Sequence, residues 1–282
     1  MPVPRFLLTR DAREFAERTE RLLSASLECN VLATVLMTVL EGSHREPPPI
    51  FAIGITEEDE VSFAAMRTPP FPLLTSPLEP GGAEPLIDQW LEVDPDVSAV
   101  SGLPDTARAI AAAWARRTGG SSRRTFSEGM HVLTEVQDPP RPAPGTLRLP
   151  RPDERDLLIG WMEEFVGETG LIGASQAASM VDARLRREGL LVWDDGEPVS
   201  LVGVNPAVAG VVRIGPVYTP RPLRRRGYAG SAVAAVSRRA LADGATRCML
   251  FTDLANPTSN KTYAEVGYRR CGDWEEIALE RQ

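Results

Sequence analysis

A short basic turn between an apolar segment and a small-residue segment is the part of the sequence best suited to chemistry. Its residues are Arg224, Arg225, Arg226, Gly227, Tyr228, Ala229 and Gly230. The first backbone N–H groups of a helix lack partners within the helix and carry partial positive charge. Glycine and alanine let a ligand approach that backbone closely, and arginine adds charge-assisted hydrogen bonds. The turn therefore predicts a site for a phosphate or pyrophosphate group.

A site of this kind needs a strand before the turn and a helix after it. The apolar segment Val211–Tyr218 predicts the strand, and the small residues of 231–242 predict the helix. A further strand is predicted over 248–252 and a further helix over 257–265. Strand, basic turn and helix in this order place the helix N-terminus at the end of a sheet.

The sequence as a whole predicts two halves of similar organisation. A proline-rich segment separates them, and we place a linker at 138–145 between domains 1–137 and 146–282. Both halves show helices, then two or three strands, then helix, strand, helix and strand, which indicates a tandem α/β repeat. At the position of the basic turn the first half has the segment 76–83, which contains Glu79 and no arginine. We therefore expect only the second half to bind phosphate.

The second half resembles the GNAT superfamily of acyl-CoA-dependent N-acyltransferases. Residues 224–229 match the Gln/Arg-x-x-Gly-x-Gly/Ala signature of that family. Later positions that also match are Asn256, Asn260, Tyr263 and the pair Gly267-Tyr268. The resemblance implies an α/β fold with a mixed sheet: a GNAT fold in the C-terminal half and a degenerate GNAT-like fold in the N-terminal half.

The same resemblance implies acetyl-CoA as co-substrate, with no metal. The turn from Arg224 to Gly230 would hold the pyrophosphate. The pantetheine arm would pair with the strand edge at Val217, Tyr218 and Thr219, because the next strand splays away. Asn256 and Asn260 would bind the cofactor amides. Tyr263 would act as the general acid toward the departing thiolate, since a phenol is protonated at neutral pH.

The general base is the role that the sequence leaves open. The family often places a carboxylate on the central strand, but the only charged residue of 211–217 is Arg213. Alternative carboxylates are Glu163, Glu164, Glu168 and Asp253, and a water relay is a further alternative. We assign Glu168 as the candidate catalytic carboxylate.

Structural interpretations compete with these roles. Tyr263 is also placed to pack on Tyr268, and Asn256 is also a suitable N-cap with Pro257 at the first helical position. The two roles of Asn256 are compatible, because backbone and side chain are separate groups.

Composition excludes several classes of function. The net charge of −8 and a pI of about 5.0 argue against nucleic-acid binding and against binding to anionic membranes. We find neither a signal peptide nor an apolar run as long as the ~18 residues of a membrane span. Cys29, Cys248 and Cys271 lack metal-site spacing, so we expect reduced thiols and a cytoplasmic location.

Together these features predict an N-acetyltransferase. The enzyme would transfer an acetyl group from acetyl-CoA to a primary amine of a small molecule or peptide, by direct attack in a ternary complex. The alternative is a non-catalytic acyl-CoA sensor, which the missing strand carboxylate keeps open. The acidic segment 167–173 suits a cationic amine. A monomer and a homodimer are both compatible with the sequence.

Overall fold

The computed structural model of the protein describes residues 4–42, 46–170 and 176–281. The chain divides into two compact units, one of Met1–Glu128 with Asp273–Gln282 and the other of Gly129–Gly272. The predicted linker lies within the second unit. The domain limits predicted from the sequence assign all of 146–282 to one domain, whereas the compact units group the last ten residues with the first unit. The predicted limits therefore stay a prediction.

The first unit has the elements β1 (Arg5–Thr9), α1 (Ala12–Ala25), α2 (Asn30–Leu40), β2 (Ile50–Ile55), β3 (Val61–Arg67), β4 (Leu73–Thr75), α3 (Ala83–Val93), β5 (Ala99–Gly102), α4 (Pro104–Thr118) and the start of β6 (Ser121–Leu133). Its sheet runs β1-β2-β3-β4-β5-β12-β6 within the described residues, where β12 is Arg269–Glu280. Strands β4 and β5 pair in parallel. Trp90 and Trp114, both fully buried, fill the core between α3 and α4.

The second unit repeats this order with β7 (Thr146–Arg148), α5 (Arg155–Thr169), α6 (Ala177–Arg186), β8 (Leu190–Asp194), β9 (Pro198–Val204), β10 (Val211–Tyr218), α7 (Tyr228–Ala242), β11 (Arg247–Asp253), α8 (Pro257–Val266) and β12. Its sheet runs β12-β6-β11-β10-β9-β8-β7. Both units therefore contain a mixed sheet and the same succession of helices and strands. The predicted mixed α/β fold class is confirmed.

The helices of the second unit cover its sheet on two faces. On β8, Leu191 and Trp193 pack with α7, whereas Leu190 and Val192 pack with α5 and α6. This alternation is the two-residue period of a strand whose two faces are both buried. The face covered by α7 and α8 is called the α7 face below, and the opposite one the α5/α6 face.

Several boundaries differ from those that the sequence predicts. Helix α7 begins at Tyr228 rather than at 231, because Gly227 takes a left-handed conformation and serves as the N-cap. Strand β6 begins at Ser121, and the sequence gives no signal for this start, because its first five residues are all exposed and carry no apolar alternation. Strand β1 is short and was not predicted at all.

The proline-rich segment packs onto the second unit. The backbone N–H of Ala143 donates to Ser231 Oγ at 2.8 Å, and the indole N–H of Trp193 donates to the carbonyl of Pro144 at 2.8 Å. These bonds fix the segment against α7 and β8, close to the basic turn.

A charge network joins β7, the N-cap of α5 and β8. Arg148 of β7 donates to both oxygens of Glu154, at 2.8 and 2.6 Å, and to Asp194 of β8 at 2.6 Å. Glu154 is buried, and the Arg148 hydrogen bonds hold the pKa of its carboxyl below the usual value although burial opposes this. Removing Arg148 would leave two poorly solvated carboxylates facing each other.

We expect Arg148→Met to lower the free energy of unfolding at pH 7 by about 3 kcal/mol. The lowered pKa of Glu154 means that its contribution is complete above the usual carboxyl pKa and is lost as the pH falls through the folded-state value. Urea unfolding should therefore show a difference between wild type and variant that shrinks in acid.

The matched control is Arg238→Met, which breaks the exposed ion pair with Asp138 and should change stability by no more than ~0.5 kcal/mol. A difference for Arg148→Met that is equally small, or that stays constant from neutral to acid pH, contradicts the prediction.

Candidate active site

Strand β10 leaves its parallel neighbour β11 halfway along its length. The two strands pair only over Val211–Arg213 and Arg247–Met249. Against β9, the register moves three residues along β10, from Ile214 to Val217, but two residues along the partner. Ile214 and Val217 both pack on the α7 face, so one extra residue is inserted between them.

The sequence signal for this bulge is the pair Gly215-Pro216. Gly215 has a φ of +141°, which other residues rarely adopt, and Pro216 has no N–H to give to a neighbouring strand. The bulge turns the end of β10 away from β11 and leaves a strand edge facing the gap. The predicted splay of these strands is thus present, and the predicted contacts Val217 and Tyr218 lie on that edge, with Thr219 just beyond it.

The basic turn follows this edge and ends at an uncapped helix. Gly227 has a φ of +87° and no side chain caps α7, so the N–H groups of the first turn are free of side-chain partners among the described residues. A Cβ at Gly227 would lie 2.8 Å from the carbonyl oxygen of Arg141. Arg225 also has a positive φ, of 64°. Glycine is therefore required at 227 by both conformation and space.

The arginines of the turn have different surroundings. Arg224 donates to the carbonyl of Thr219 at 2.8 Å and to Glu168 at 2.7 Å, and lies 5.4 Å above the ring of Tyr218. Arg226 makes one long bond of 3.4 Å, to the carbonyl of Pro222. Arg225 makes no side-chain hydrogen bond or ion pair within the described part of the chain, so its guanidinium is the one available to a ligand.

Glu168 joins the turn to α5. Its two oxygens accept from Arg221 at 2.8 Å and from Arg224 at 2.7 Å. Burial raises the pKa of the Glu168 carboxyl, but the two arginines outweigh it and hold that pKa below the usual range. The sequence did not identify Arg221 as a partner, because Arg221 and Glu168 are 53 residues apart along the chain and only the fold brings them together.

Glu164, one turn earlier on α5, contacts the edge strand instead. It accepts a hydrogen bond of 2.6 Å from the hydroxyl of Tyr218, which lies on the α5/α6 face. Burial and this bond raise the pKa of Tyr218 to about 12. A tyrosine hydroxyl with a carboxylate behind it can pass a proton from a neighbouring group to that carboxylate.

One face of α8 carries Asn256, Asn260 and Tyr263, which are spaced by four and three residues. Asn256 is the N-cap, and its Oδ1 accepts from the N–H of Ser259 at 3.1 Å. Asn260 Nδ2 donates to the carbonyls of Asp253 and Asn256, at 3.0 and 2.9 Å. Asn256 Nδ2 and Asn260 Oδ1 have no partner among the described residues, so one amide donor and one acceptor remain.

Tyr263 lies at the end of this face. Its ring packs edge-on against Tyr268 at 6.3 Å, and burial raises the pKa of its hydroxyl to about 12. That hydroxyl makes no hydrogen bond to a described residue, whereas the hydroxyl of Tyr268 is bonded to Ser237 at 2.8 Å. The packing role and the acid role predicted for Tyr263 are therefore compatible.

Helices α7 and α8 meet closely beside the turn. A Cβ on Gly230 would lie 3.3 Å from Thr262 Cγ2, which places the first turn of α7 against α8 next to Tyr263. The end of the basic turn and α8 therefore lie side by side. Asp253 accepts from the N–H of Ala255 through Oδ1 at 2.8 Å, and its Oδ2 has no partner among the described residues.

The corresponding gap in the first unit is closed. Leu73 and Leu74 of β4 pair with β5, and Thr75 Oγ1 donates to the carbonyl of Ser101 at 3.4 Å. A Cβ on Gly102 would overlap that same threonine hydroxyl. The strands at this position do not separate, and the turn that follows has no arginine.

Two features are absent from residues 4–42, 46–170 and 176–281. These residues contain no group of three or more His, Cys, Asp and Glu side chains arranged to hold a metal ion. None of their helices is both long enough and apolar enough to cross a lipid bilayer. The acceptor segment proposed from the sequence is described only from Gly167 to Gly170, and its last three residues lie outside the described ranges.

Comparison with known proteins places this site in a family. Residues 155–268 match the model of the Acetyltransferase (GNAT) family. No curated protein matches the chain. A tandem GNAT protein from the clavulanic acid biosynthesis pathway has 14% identity and a TM-score of 0.56, with 98% of each chain covered.

Two further solved structures resemble almost the whole chain. A Drosophila protein is 12% identical with a TM-score of 0.70 and 98% of each chain covered. A GCN5-related N-acetyltransferase from Sphaerobacter thermophilus is 17% identical with a TM-score of 0.59, covering 99% of this chain and 97% of that one. At these identities the likeness shows the fold. The family model and the fold agree, and residues 155–268 of this chain form a GNAT acetyltransferase domain.

Proposed function

We propose that the second unit transfers an acetyl group from acetyl-CoA to a primary amine of a small molecule or peptide. The GNAT domain implies acyl transfer from an acyl-CoA; the acetyl group, the amine and the residue roles are our proposal. The observation that carries it is the free edge of β10 beside the uncapped N-terminus of α7. An extended amide-containing arm joined to a pyrophosphate fits such an edge and helix end.

In this proposal each part of the site binds one part of the cofactor. The N–H groups of residues 228–230 and the guanidinium of Arg225 take the pyrophosphate. The edge from Val217 to Thr219 pairs with the pantetheine amides, and the free groups of Asn256 and Asn260 offer one donor and one acceptor to the same arm. Glu168 holds Arg221 and Arg224 so that the turn is formed before the cofactor arrives.

The reaction is direct attack of a neutral amine on the thioester carbonyl. The carbon–nitrogen bond forms as charge collects on the carbonyl oxygen, which a backbone N–H at Val217 or Tyr218 stabilises. The carbon–sulfur bond then breaks, and the hydroxyl of Tyr263 gives its proton to the departing thiolate. Its raised pKa keeps this hydroxyl protonated at neutral pH. The proton of the amine leaves through the hydroxyl of Tyr218 to Glu164.

Glu164 enters here as a base in preference to Glu168, the carboxylate assigned from the sequence. Both oxygens of Glu168 are engaged by arginines, while Glu164 reaches the α5/α6 face through Tyr218. Glu168 is retained as the alternative base, and substitution of each carboxylate by glutamine distinguishes Glu164 from Glu168.

A sensor that binds acyl-CoA without transferring it remains the second candidate, because β10 lacks a carboxylate of its own. Thiol release from acetyl-CoA across a panel of amines decides between them. Turnover with any amine supports the enzyme, and saturable binding of acetyl-CoA without turnover supports the sensor.

We expect Tyr263→Phe to lower kcat about 100- to 1000-fold, because general acid catalysis is lost while the ring packing remains. The KM for acetyl-CoA should stay within about threefold of wild type, since the hydroxyl acts on the leaving group. Steady-state thiol release measures both. Tyr268→Phe is the control, and its kcat should be close to wild type. Equal activities of the two variants would exclude Tyr263 as the acid.

We expect Gly227→Ala to weaken acetyl-CoA binding at least 10-fold, because the new methyl group meets the carbonyl of Arg141 and displaces the turn. The matched control is Gly244→Ala at the other end of α7. Gly244 also has a positive φ, of +101°, but nothing lies within 4 Å of an added Cβ. Isothermal titration should show a normal dissociation constant for the control. Similar weakening in both variants would mean that backbone strain, and not the turn, is responsible.

We expect Glu164→Gln to lower kcat about 10- to 100-fold near neutral pH, because the proton acceptor behind Tyr218 is lost. Glu168→Gln should instead raise the KM for acetyl-CoA, because Arg221 and Arg224 are released. Profiles of kcat and kcat/KM against pH measure both effects. The reverse pattern, with kcat lost in Glu168→Gln alone, would return the base role to Glu168.

A further inference from the structure

The proline-rich segment of residues 138–145 carries a single cation. Its sequence is Asp-Pro-Pro-Arg-Pro-Ala-Pro-Gly, so Arg141 is its one basic residue. Proline fixes its own φ and restricts the residue before it to extended conformations. Because Arg141 lies between Pro140 and Pro142, its backbone has little conformational freedom although it belongs to no helix or strand.

Contacts on both sides of Arg141 hold the segment against α7. Asp138 pairs with Arg238 at 2.7 Å, and the N–H of Ala143 donates to Ser231 Oγ at 2.8 Å. Arg238 lies near the end of α7, and Ser231 lies near its start. The position of the Arg141 backbone along this helix is therefore fixed before any ligand binds.

The backbone of Arg141 lies directly against the first turn of α7. A Cβ added to Gly227 would be 2.8 Å from the carbonyl oxygen of Arg141 and 3.6 Å from the Cβ of Ala143. Gly227 is the N-cap of α7 and belongs to the turn assigned above to the pyrophosphate. Arg141 is thus a neighbour of that turn in space, although 86 residues separate it from Gly227 in the chain.

The guanidinium of Arg141 has no role inside the protein. Its residue is exposed, and its side chain makes no hydrogen bond or ion pair within the part of the chain that the structure describes. Two arginines of the turn region differ in this respect, because Arg221 and Arg224 are both bound to Glu168. Arg141 therefore presents all five of its N–H donors beside the turn.

The proposed cofactor has a second anion close to its pyrophosphate. Coenzyme A carries a phosphate monoester at the 3′ position of the ribose whose 5′ oxygen bears the pyrophosphate. Such a monoester has a charge of about −1.5 to −2 at neutral pH and three acceptor oxygens. Since one ribose ring joins the two anions, a pyrophosphate held at Gly227 brings the 3′-phosphate near the residues that border the turn.

We infer that Arg141 binds the 3′-phosphate of coenzyme A and makes the second unit select acyl-CoA over thioesters that lack this phosphate. The planar fork of arginine matches the oxygens of a phosphate. This assignment rests on the proposed function, because it takes the pyrophosphate to lie at the turn of residues 224–230. Arg141 precedes residues 155–268, which match the family model, so the contact would be a feature of this chain outside the matched domain.

Calorimetric titration of coenzyme A and of 3′-dephospho-coenzyme A tests the inference. The two ligands differ only in the 3′-phosphate, and both keep the pyrophosphate and the pantetheine arm. We expect the wild type to bind coenzyme A at least about 10-fold more tightly, as for a hydrogen bond to a charged group. Equal dissociation constants would overturn the inference and leave the acetyltransferase proposal in place.

Arg141→Gln should bring the two dissociation constants to within about threefold of each other, with little change for the dephospho ligand. Arg141→Lys keeps the charge but not the fork and should give an intermediate ratio. The matched control is Arg247→Gln, which should keep the wild-type ratio. Arg247 is also exposed and has no side-chain partner among the described residues, but it pairs with Val211 at the start of β10, away from the turn.

The same titrations separate a phosphate contact from a supporting role of Arg141. Equal weakening of both ligands in Arg141→Gln would mean that the residue acts on the pyrophosphate or on the shape of the turn, and would overturn the assignment. The wild-type ratio should also fall as the salt concentration rises, because exposed charges are screened. A ratio that does not change with salt would contradict an ionic contact.

Turnover distinguishes this inference from the proposed function. Selection of coenzyme A through Arg141, with no thiol release from acetyl-CoA for any amine, would refute acetyl transfer and keep the phosphate site. Thiol release that is equally efficient with acetyl-CoA and acetyl-3′-dephospho-CoA would support acetyl transfer and refute the phosphate site. Failure of the wild type to bind coenzyme A at all would refute both.

Discussion

The interruption of β10 at Gly215 and Pro216 removes its hydrogen bonds to β11 and exposes a strand edge inside the second unit. An exposed edge within a sheet is unfavourable unless other groups satisfy its N–H and C=O groups. The neighbouring groups also lack hydrogen-bond partners among the described residues: the first N–H groups of α7, and one amide atom each of Asn256 and Asn260. In the proposed function, one extended ligand would satisfy these groups together.

Charge around this gap is arranged so that the turn is rigid before a ligand binds. Glu168 neutralises Arg221 and Arg224, and Arg224 also bonds to the carbonyl of Thr219. The turn therefore keeps its shape through internal ion pairs, while Arg225 and the helix N-terminus remain for the ligand. The cost of ordering the loop is met during folding, which favours binding.

The first unit shows what the same succession of elements does without the bulge. Its strands β4 and β5 stay together where β10 and β11 separate, and the hydroxyl of Thr75 occupies the space over Gly102. Its buried ion pair, Arg67 with Asp94, joins the end of β3 to the end of α3 at 2.6 Å. These polar groups therefore make contacts within the first unit.

The sequence by itself determined the fold class, the basic turn and the polar face of α8. These features depend on local order: apolar runs define the strands, glycine and arginine define the turn, and residues spaced by four and three share a helical face. A family signature within one continuous segment was sufficient to predict where a phosphate would bind.

Only the tertiary structure decided which groups face one another across elements. Glu168 and Glu164 are one helical turn apart, yet one meets two arginines and the other meets Tyr218, because the turn and the strand reach different points along α5. Side-chain partners between distant segments follow from sheet register and helix packing, which local patterns in the sequence do not specify.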